Sequence, residues 1–114
     1  MNTTSIGQQA EAAASSYVQA LGYHVLERNW RTKWCEIDIV ASKGRIIYFI
    51  EVKYRHQATQ GTGLEYITTK KLHQMRLAAA LWVAKHRWQG DYGLSALGVS
   101  GPYFAVTAFE ADLL

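Results

Sequence analysis

Residues 36–53 read Glu-Ile-Asp-Ile-Val-Ala-Ser-Lys-Gly-Arg-Ile-Ile-Tyr-Phe-Ile-Glu-Val-Lys. Two apolar runs flank a Lys43-Gly44 turn, in which the glycine supplies the positive φ that a tight hairpin needs. The pattern therefore predicts two neighbouring strands. The run Ile46–Ile50 is apolar at every position, which is typical of a central strand buried on both faces.

Charged side chains lie near the ends of these apolar strands: Glu36, Asp38 and Glu51, with Lys53 two residues beyond Glu51. Side chains alternate along a strand, so the register of the hairpin decides which of them meet. With the predicted turn as a two-residue loop, Glu36 lies opposite Glu51. All four side chains then share one face, and Asp38 and Glu51 are diagonal neighbours with backbones ~7–8 Å apart.

Two carboxylates at this spacing can converge on one cation; without it they repel, and one holds its proton at a raised pKa. A small set of oxygen ligands favours Mg²⁺ or Mn²⁺, and the carbonyl of Val52 can add to it. Lys53 is suited to orient an attacking water or to stabilise charge that builds on a phosphate. The alternative is a surface hairpin whose acids pair with Lys53 and Arg45. The apolar surroundings favour the site.

Helices are predicted before and after these strands, with two more strands at the end. The element order α-β-β-β-α-β-β predicts the α/β class, with a mixed central sheet and helices packed on it. At 114 residues the whole chain, 1–114, is expected to be one domain. The predicted elements are a helix from Thr3–Ser5 to about Leu21, strands Tyr23–Trp30, Trp34–Ala41 and Arg45–Tyr54, a helix from about Lys70 to His86, and strands Tyr92–Val99 and Tyr103–Phe109.

Basic residues concentrate in the middle of the chain. Between Val52 and Gly90 there are seven Lys or Arg and one acid, whereas three acids and no bases follow Gly90. This distribution indicates a surface that faces a polyanion, with an ordinary solvated face as the alternative. The polar loop Arg55–Tyr66 is expected to lie beside the site. The candidates for phosphate contact are Arg31, Arg55, Lys70, Lys71 and Arg76.

No apolar stretch approaches the ~20 residues of a membrane span, and the N-terminus carries no secretory signal pattern. The single cysteine, Cys35, cannot form an internal disulfide. These features predict a cytoplasmic protein without a membrane partner. The segment Leu77–Ala84 is apolar nearly all round, so the second helix is expected to be buried on more than one side or to pack in a homodimer.

Asp38, followed on the next strand by Glu51-Val52-Lys53, resembles the motif of the PD-(D/E)XK nuclease superfamily. The chain is more similar still to the YraN family of small bacterial proteins, although the glycine that usually precedes Glu36 in that family is Cys35 here. The matching segments are Gly7-Gln-Gln-Ala-Glu-Ala-Ala-Ala14, Leu21-Gly-Tyr23, Asn29-Trp-Arg31, Glu36-Ile-Asp-Ile-Val-Ala41, Phe49-Ile-Glu-Val-Lys-Tyr-Arg55 and Thr69-Lys-Lys-Leu72.

The resemblance implies a restriction-endonuclease-like core, related in layout to archaeal Holliday-junction resolvases, and a Mg²⁺- or Mn²⁺-dependent endonuclease acting on DNA. Asp38 and Glu51 would be the metal ligands and Lys53 the third catalytic residue. Glu11 matches a helix glutamate that joins the metal site in the resolvases, and Glu36 would support the ligands or pair with a base. Two alternatives stay open: a nucleic-acid-binding module with little catalysis, and a partner-binding subunit that uses the apolar helix.

Overall fold

The computed structural model describes residues 3–57 and 64–113 of the chain. Two helices and five strands follow one another in the predicted order, which confirms the α/β class and the topology. The elements are α1 (Thr3–Ala20), β1 (His24–Arg31), β2 (Glu36–Lys43), β3 (Ile46–Arg55), α2 (Thr69–His86), β4 (Tyr92–Ser100) and β5 (Ala105–Glu110).

The five strands form one mixed sheet in the order β1-β2-β3-β4-β5. Strands β3 and β4 are parallel, and the other neighbours are antiparallel. The parallel pair needs a crossover connection, and α2 provides it. Strand β3 is the central strand, as predicted, and its Phe49 and Ile50 side chains are almost completely buried.

The two helices cover opposite faces of the sheet. Small and branched residues of α1 (Ala10, Ala14 and Val18) pack on one face, in a cluster that includes Ile39 and Ile50. Residues of α2 pack on the other face, in a cluster of Trp30, Ile37, Val40, Ile47, Phe49, Met75, Ala78, Ala79, Trp82 and Leu94. The sheet is thus buried on both sides, which explains the continuous apolar run in its central strand.

The predicted register of the β2–β3 hairpin was wrong by two residues. Lys43 pairs with Ile46, so the two-residue turn is Gly44-Arg45 rather than Lys43-Gly44. Gly44 has φ of 63° and stands first in the turn, the position at which a type II′ turn requires glycine. A shift of two residues alone would leave every side chain on its predicted face, because strand side chains alternate with a period of two. The shared face predicted for Glu36, Asp38, Glu51 and Lys53 was nevertheless wrong, because β2 changes face at Asp38.

Two predicted strand starts were also wrong. Strand β2 begins at Glu36 rather than Trp34, because Thr32 Oγ1 accepts hydrogen bonds from the backbone N–H groups of Trp34 and Cys35 at 3.1 Å each. These bonds hold the connection in a turn. Strand β5 begins at Ala105 rather than Tyr103, because residues 101–104 form a turn in which Phe104 has φ of 55°.

Helix α2 is buried along one side only, so the expectation of burial on more than one side was wrong. Trp82 and Met75 face the sheet, whereas Leu77 and Leu81 are 54% and 36% exposed. The homodimer stays a prediction. Among the residues that the structure describes, no helix is long and apolar enough to cross a membrane.

Candidate functional site

Strands β2 and β3 stop pairing directly just before the predicted acids. Their backbone register ends at Ile39–Ile50. Hydrogen-bonded pairs alternate along an antiparallel ladder, so the next such pair would be Ile37 with Val52. Instead, the N–H of Val52 donates to Oδ2 of Asp38 at 2.8 Å. The Asp38 side chain therefore takes the place of a backbone carbonyl and is fixed in the gap between the two strands.

The strand changes face at the same position. Ile37 packs in the core beneath α2, whereas Ile39 packs in the core beneath α1. Residues two apart in a regular strand share a face, so the chain turns at Asp38. The facing strand is irregular there as well, because Asn29, between the paired residues Arg28 and Trp30 of β1, has φ of 55°. Asp38 thus lies between the two helical layers.

Asp38 and Glu51 form a carboxyl pair at this gap, and both side chains line one small pocket beneath α2. Burial, reinforced by the neighbouring Glu51, raises the pKa of Asp38 to about 8. Asp38 therefore holds its proton near neutral pH, as expected for a poorly solvated carboxyl beside a second acid. Lys71 of α2 partly compensates the charge, since its Nζ lies 2.8 Å from Oε2 of Glu51.

A recess on the α1 side opens onto Asp38. It has a volume of about 320 Å³ and contains Glu11 and Lys53. Oε1 of Glu11 is buried without a hydrogen-bond partner. Burial raises the pKa of Glu11, and the nearby charge of Arg28 offsets part of the rise. The α1 recess, as we call it, is lined by Ile6, Gly7, Ala10, Glu11, Asp38, Val52, Lys53 and Tyr54.

A second recess on the α2 side opens onto Glu51 and has a volume of about 260 Å³. Lys71 reaches into it from the first turn of α2. The helix begins after Thr68, and the side chain of Thr68 accepts a hydrogen bond from the N–H of Lys71. The acid pair therefore lies between two open recesses. The α2 recess is lined by Trp34, Cys35, Glu36, Glu51, Lys71, Gln74, Met75 and Leu77.

Glu36 does not lie opposite Glu51, contrary to the predicted register. It pairs with Arg31 of β1, and Oε2 of Glu36 is 3.1 Å from Nε of Arg31. Both side chains are more than half exposed. Glu36 still lines the α2 recess, so it lies beside the acid pair as an ion-pair partner of a base.

The other predicted phosphate contacts are less close to the acids. Arg55 Nη2 lies 3.7 Å from Oε2 of Glu65. Arg76 lines a separate recess with Tyr92 and Gly93, at the start of β4. Lys70 is exposed at the start of α2. Of the five candidates, Lys71 is the one that contacts an acid of the pair.

The contact with Glu51 distinguishes Lys71 from its exposed neighbour Lys70. Replacing Lys71 by methionine is expected to lower the free energy of unfolding at pH 7 by about 1 kcal/mol, because the half-buried Glu51 then loses its cation. Lys70→Met, on the exposed side, is expected to change it by less than about 0.5 kcal/mol. Urea unfolding of the two variants checks this; equal losses would contradict the assigned contact.

Sequence reasoning missed Tyr66, which follows a loop without periodicity. Its hydroxyl is buried without a hydrogen-bond partner, and Nζ of Lys53 lies 5.9 Å from the centroid of its ring. Burial, then the charges of Glu51 and Asp38, raise the pKa of the phenol. The predicted loop Arg55–Tyr66 thus ends at the site, although its residues 58–63 lie outside the described residues.

The carboxyls suit a divalent cation of the Mg²⁺ type, which takes one or two protein carboxylates and keeps several waters. Across residues 3–57 and 64–113, no three His, Cys, Asp or Glu side chains are grouped closely enough to hold a metal ion. Asp38 and Glu51 lie next to each other, and Glu11 lines the same recess as Asp38. The carbonyl of Val52 points into the same gap as its N–H, because both groups of a strand residue lie on the same side of the strand.

The fold and the site define a mixed α/β protein with a half-buried carboxyl pair, flanked by lysines, where two central strands diverge. The model of the uncharacterised protein family UPF0102 matches residues 10–99, and the chain belongs to this family. A UPF0102 protein of Sulfurihydrogenibium sp. (strain YO3AOP1) is 35% identical over 102 residues, or 89% of each chain. One of Pseudomonas putida is 39% identical over 89 residues, covering 78% of this chain and 72% of the relative.

Proposed function

We propose that this protein is a nuclease that hydrolyses phosphodiester bonds in DNA with the help of a divalent cation. The observation that carries the proposal is the contact between Asp38 and Glu51, with Lys53 in the recess that Asp38 lines. A carboxyl such as Asp38, whose pKa is raised by burial beside a second acid, is costly for folding, which is typical of functional sites. The resemblance of Asp38 and Glu51-Val52-Lys53 to the PD-(D/E)XK motif supports the same chemistry.

Asp38 and Glu51 would hold the cation, Mg²⁺ or Mn²⁺, together with the carbonyl of Val52. Glu11 would contact it through water, because the three carboxyls are not grouped closely enough to bind one ion directly. Such a cation neutralises phosphate charge and makes a bound water more acidic. Binding it requires that Asp38 lose its proton, so cation affinity should rise with pH through about pH 8. In that state Glu51 would exchange its ion pair with Lys71 for the cation.

Lys53 is the residue that we propose to act on the phosphate. Its side chain is exposed and lines the α1 recess together with Asp38. An ammonium group there can donate a hydrogen bond to the attacking water or to a phosphate oxygen that gains charge. The bond of Val52 N–H to Asp38 holds the carboxylate and the strand that carries Lys53 in a fixed relation.

A second function, nucleic-acid binding without hydrolysis, is favoured by one observation. Lys71 already neutralises Glu51 at 2.8 Å, so the site has an internal cation. In that reading the lysines of α2 bind phosphates and the acids are structural. The two functions differ in whether strands are cut.

Cleavage of end-labelled DNA tests the proposal. We expect the natural protein to cut at least one of three substrates, single-stranded, duplex or branched, when Mg²⁺ or Mn²⁺ is present, and to cut none in EDTA. Asp38→Asn, purified in parallel, should not cut. Binding without any cleavage would support the second function, and equal cleavage by Asp38→Asn would reveal a contaminating nuclease and leave no support for the proposal.

A further inference from the structure

Trp34 is a large aromatic residue left in solvent beside the acid pair. Its side chain is 79% exposed, although burial of a large apolar side chain stabilises a fold. The backbone beneath it is fixed, because Thr32 and Cys35 close the turn with a backbone hydrogen bond of 2.8 Å. An exposed indole on a fixed turn is a preformed contact surface.

The surroundings of Trp34 combine an aromatic face with positive charge. Nζ of Lys33 lies 5.7 Å from the centroid of the indole. Trp34 lines the α2 recess together with Glu51, Lys71 and Leu77. A base that lies on the indole would therefore have its phosphates near the lysines and its neighbouring linkage near the acids.

We propose that Trp34 is a stacking platform for an unpaired nucleotide base, so that the site takes nucleic acid that is single-stranded next to the reacting phosphate. Aromatic side chains bind single strands by stacking on bases, whose faces are covered inside a duplex. The inference rests on the proposed function for the placement of the reacting phosphate. The positive charges of Lys33 and Lys71 argue for this ligand over a protein partner, because they attract phosphates and the centres of protein interfaces are depleted in charged groups.

Equilibrium binding in EDTA tests the platform independently of hydrolysis. The probes are a labelled blunt duplex, the same duplex with a single-stranded flap, and a flapped duplex whose unpaired nucleotides are abasic. Trp34→Ala should weaken binding of the flapped duplex about 10-fold and leave the blunt duplex unchanged. The natural protein should bind the abasic flap about as weakly as Trp34→Ala binds the flapped duplex. Trp34→Phe should keep most of the affinity for the flapped duplex.

Tyr103→Ala is the matched control, because Tyr103 is 92% exposed and lines neither recess. It should bind the flapped duplex as the natural protein does. The proposal is overturned if Trp34→Ala weakens blunt and flapped duplexes equally or weakens neither. It is also overturned if the same substitution abolishes self-association of the protein, which would assign Trp34 to an interface with a second copy.

The two proposals fail in different ways. Base-dependent binding that is lost in Trp34→Ala, without cleavage by the natural protein, would keep the platform and reject the nuclease. Cleavage that Trp34→Ala leaves unchanged on flapped and blunt substrates would keep the nuclease and reject the platform.

Discussion

The Asp38→Asn variant is expected to be more stable than the natural protein at pH 9, by about 3 to 5 kcal/mol, when no divalent cation is present. Burial and Glu51 raise the pKa of Asp38 from 3.8 to about 8. Asparagine carries no charge to desolvate. Its carbonyl oxygen can still accept the hydrogen bond from Val52, and its amide can donate to Glu51.

The direction of this prediction follows from the way the free energy of unfolding depends on pH. In the unfolded chain Asp38 loses its proton near pH 3.8, whereas in the folded protein it keeps it up to about pH 8. The folded state therefore binds more protons between these values, and the free energy of unfolding falls as pH rises, by up to about 1.4 kcal/mol per pH unit. The advantage of Asp38→Asn should grow over this interval and become constant above it.

Urea unfolding in EDTA, from pH 5 to pH 9, measures the effect. Asp91→Asn is the control, because Asp91 is exposed and its substitution should leave the pH profile unchanged. An advantage of Asp38→Asn that does not vary with pH would contradict the raised pKa. Adding Mg²⁺ or Mn²⁺ at pH 8 should stabilise the natural protein and have no effect on Asp38→Asn, if the carboxyl pair binds the cation as proposed.

The order of elements and the central position of β3 could be predicted because they follow from hydrophobic periodicity. The run Ile46–Ile50 has no polar position, so only a strand covered on both faces accommodates it. The register could not be predicted from Lys43-Gly44, because one glycine fits either central position of a hairpin turn, depending on turn type. The error moved Glu36 opposite Glu51. The shared face predicted for the four residues was also wrong, because the strand changes face at Asp38: Asp38 and Lys53 line the α1 recess, whereas Glu36 and Glu51 line the α2 recess.

The details of the site depend on three-dimensional contacts that no local sequence pattern encodes. The change of face at Asp38 requires the irregular Asn29 on the neighbouring strand, and neither residue marks it in the sequence. Tyr66 reaches the site from a loop without periodicity. Trp34 was predicted as the start of a strand. The hydrogen bonds that Thr32 accepts keep it out of the strand, and no sequence pattern shows them.

Under the proposed function, Lys53→Met is expected to reduce the rate of DNA cleavage at saturating protein by about 10²- to 10³-fold. None of the ion pairs within residues 3–57 and 64–113 involves Lys53, whereas Lys71 is bound to Glu51. Its ammonium is therefore available to a substrate in the α1 recess. Because the side chain is exposed, the substitution should change the free energy of unfolding by less than about 0.5 kcal/mol.

A single-turnover measurement separates this role from simple attraction of the phosphate backbone. Lys70→Met removes an equal charge from the start of α2 and should weaken DNA binding while sparing the rate at saturation. Lys53→Met should show the reverse pattern, with a slower rate at saturation and affinity within about three-fold of the natural protein, because its proposed contact strengthens only as charge develops during the reaction. A normal rate in Lys53→Met would contradict its catalytic role, because charge at that position would then act only in binding.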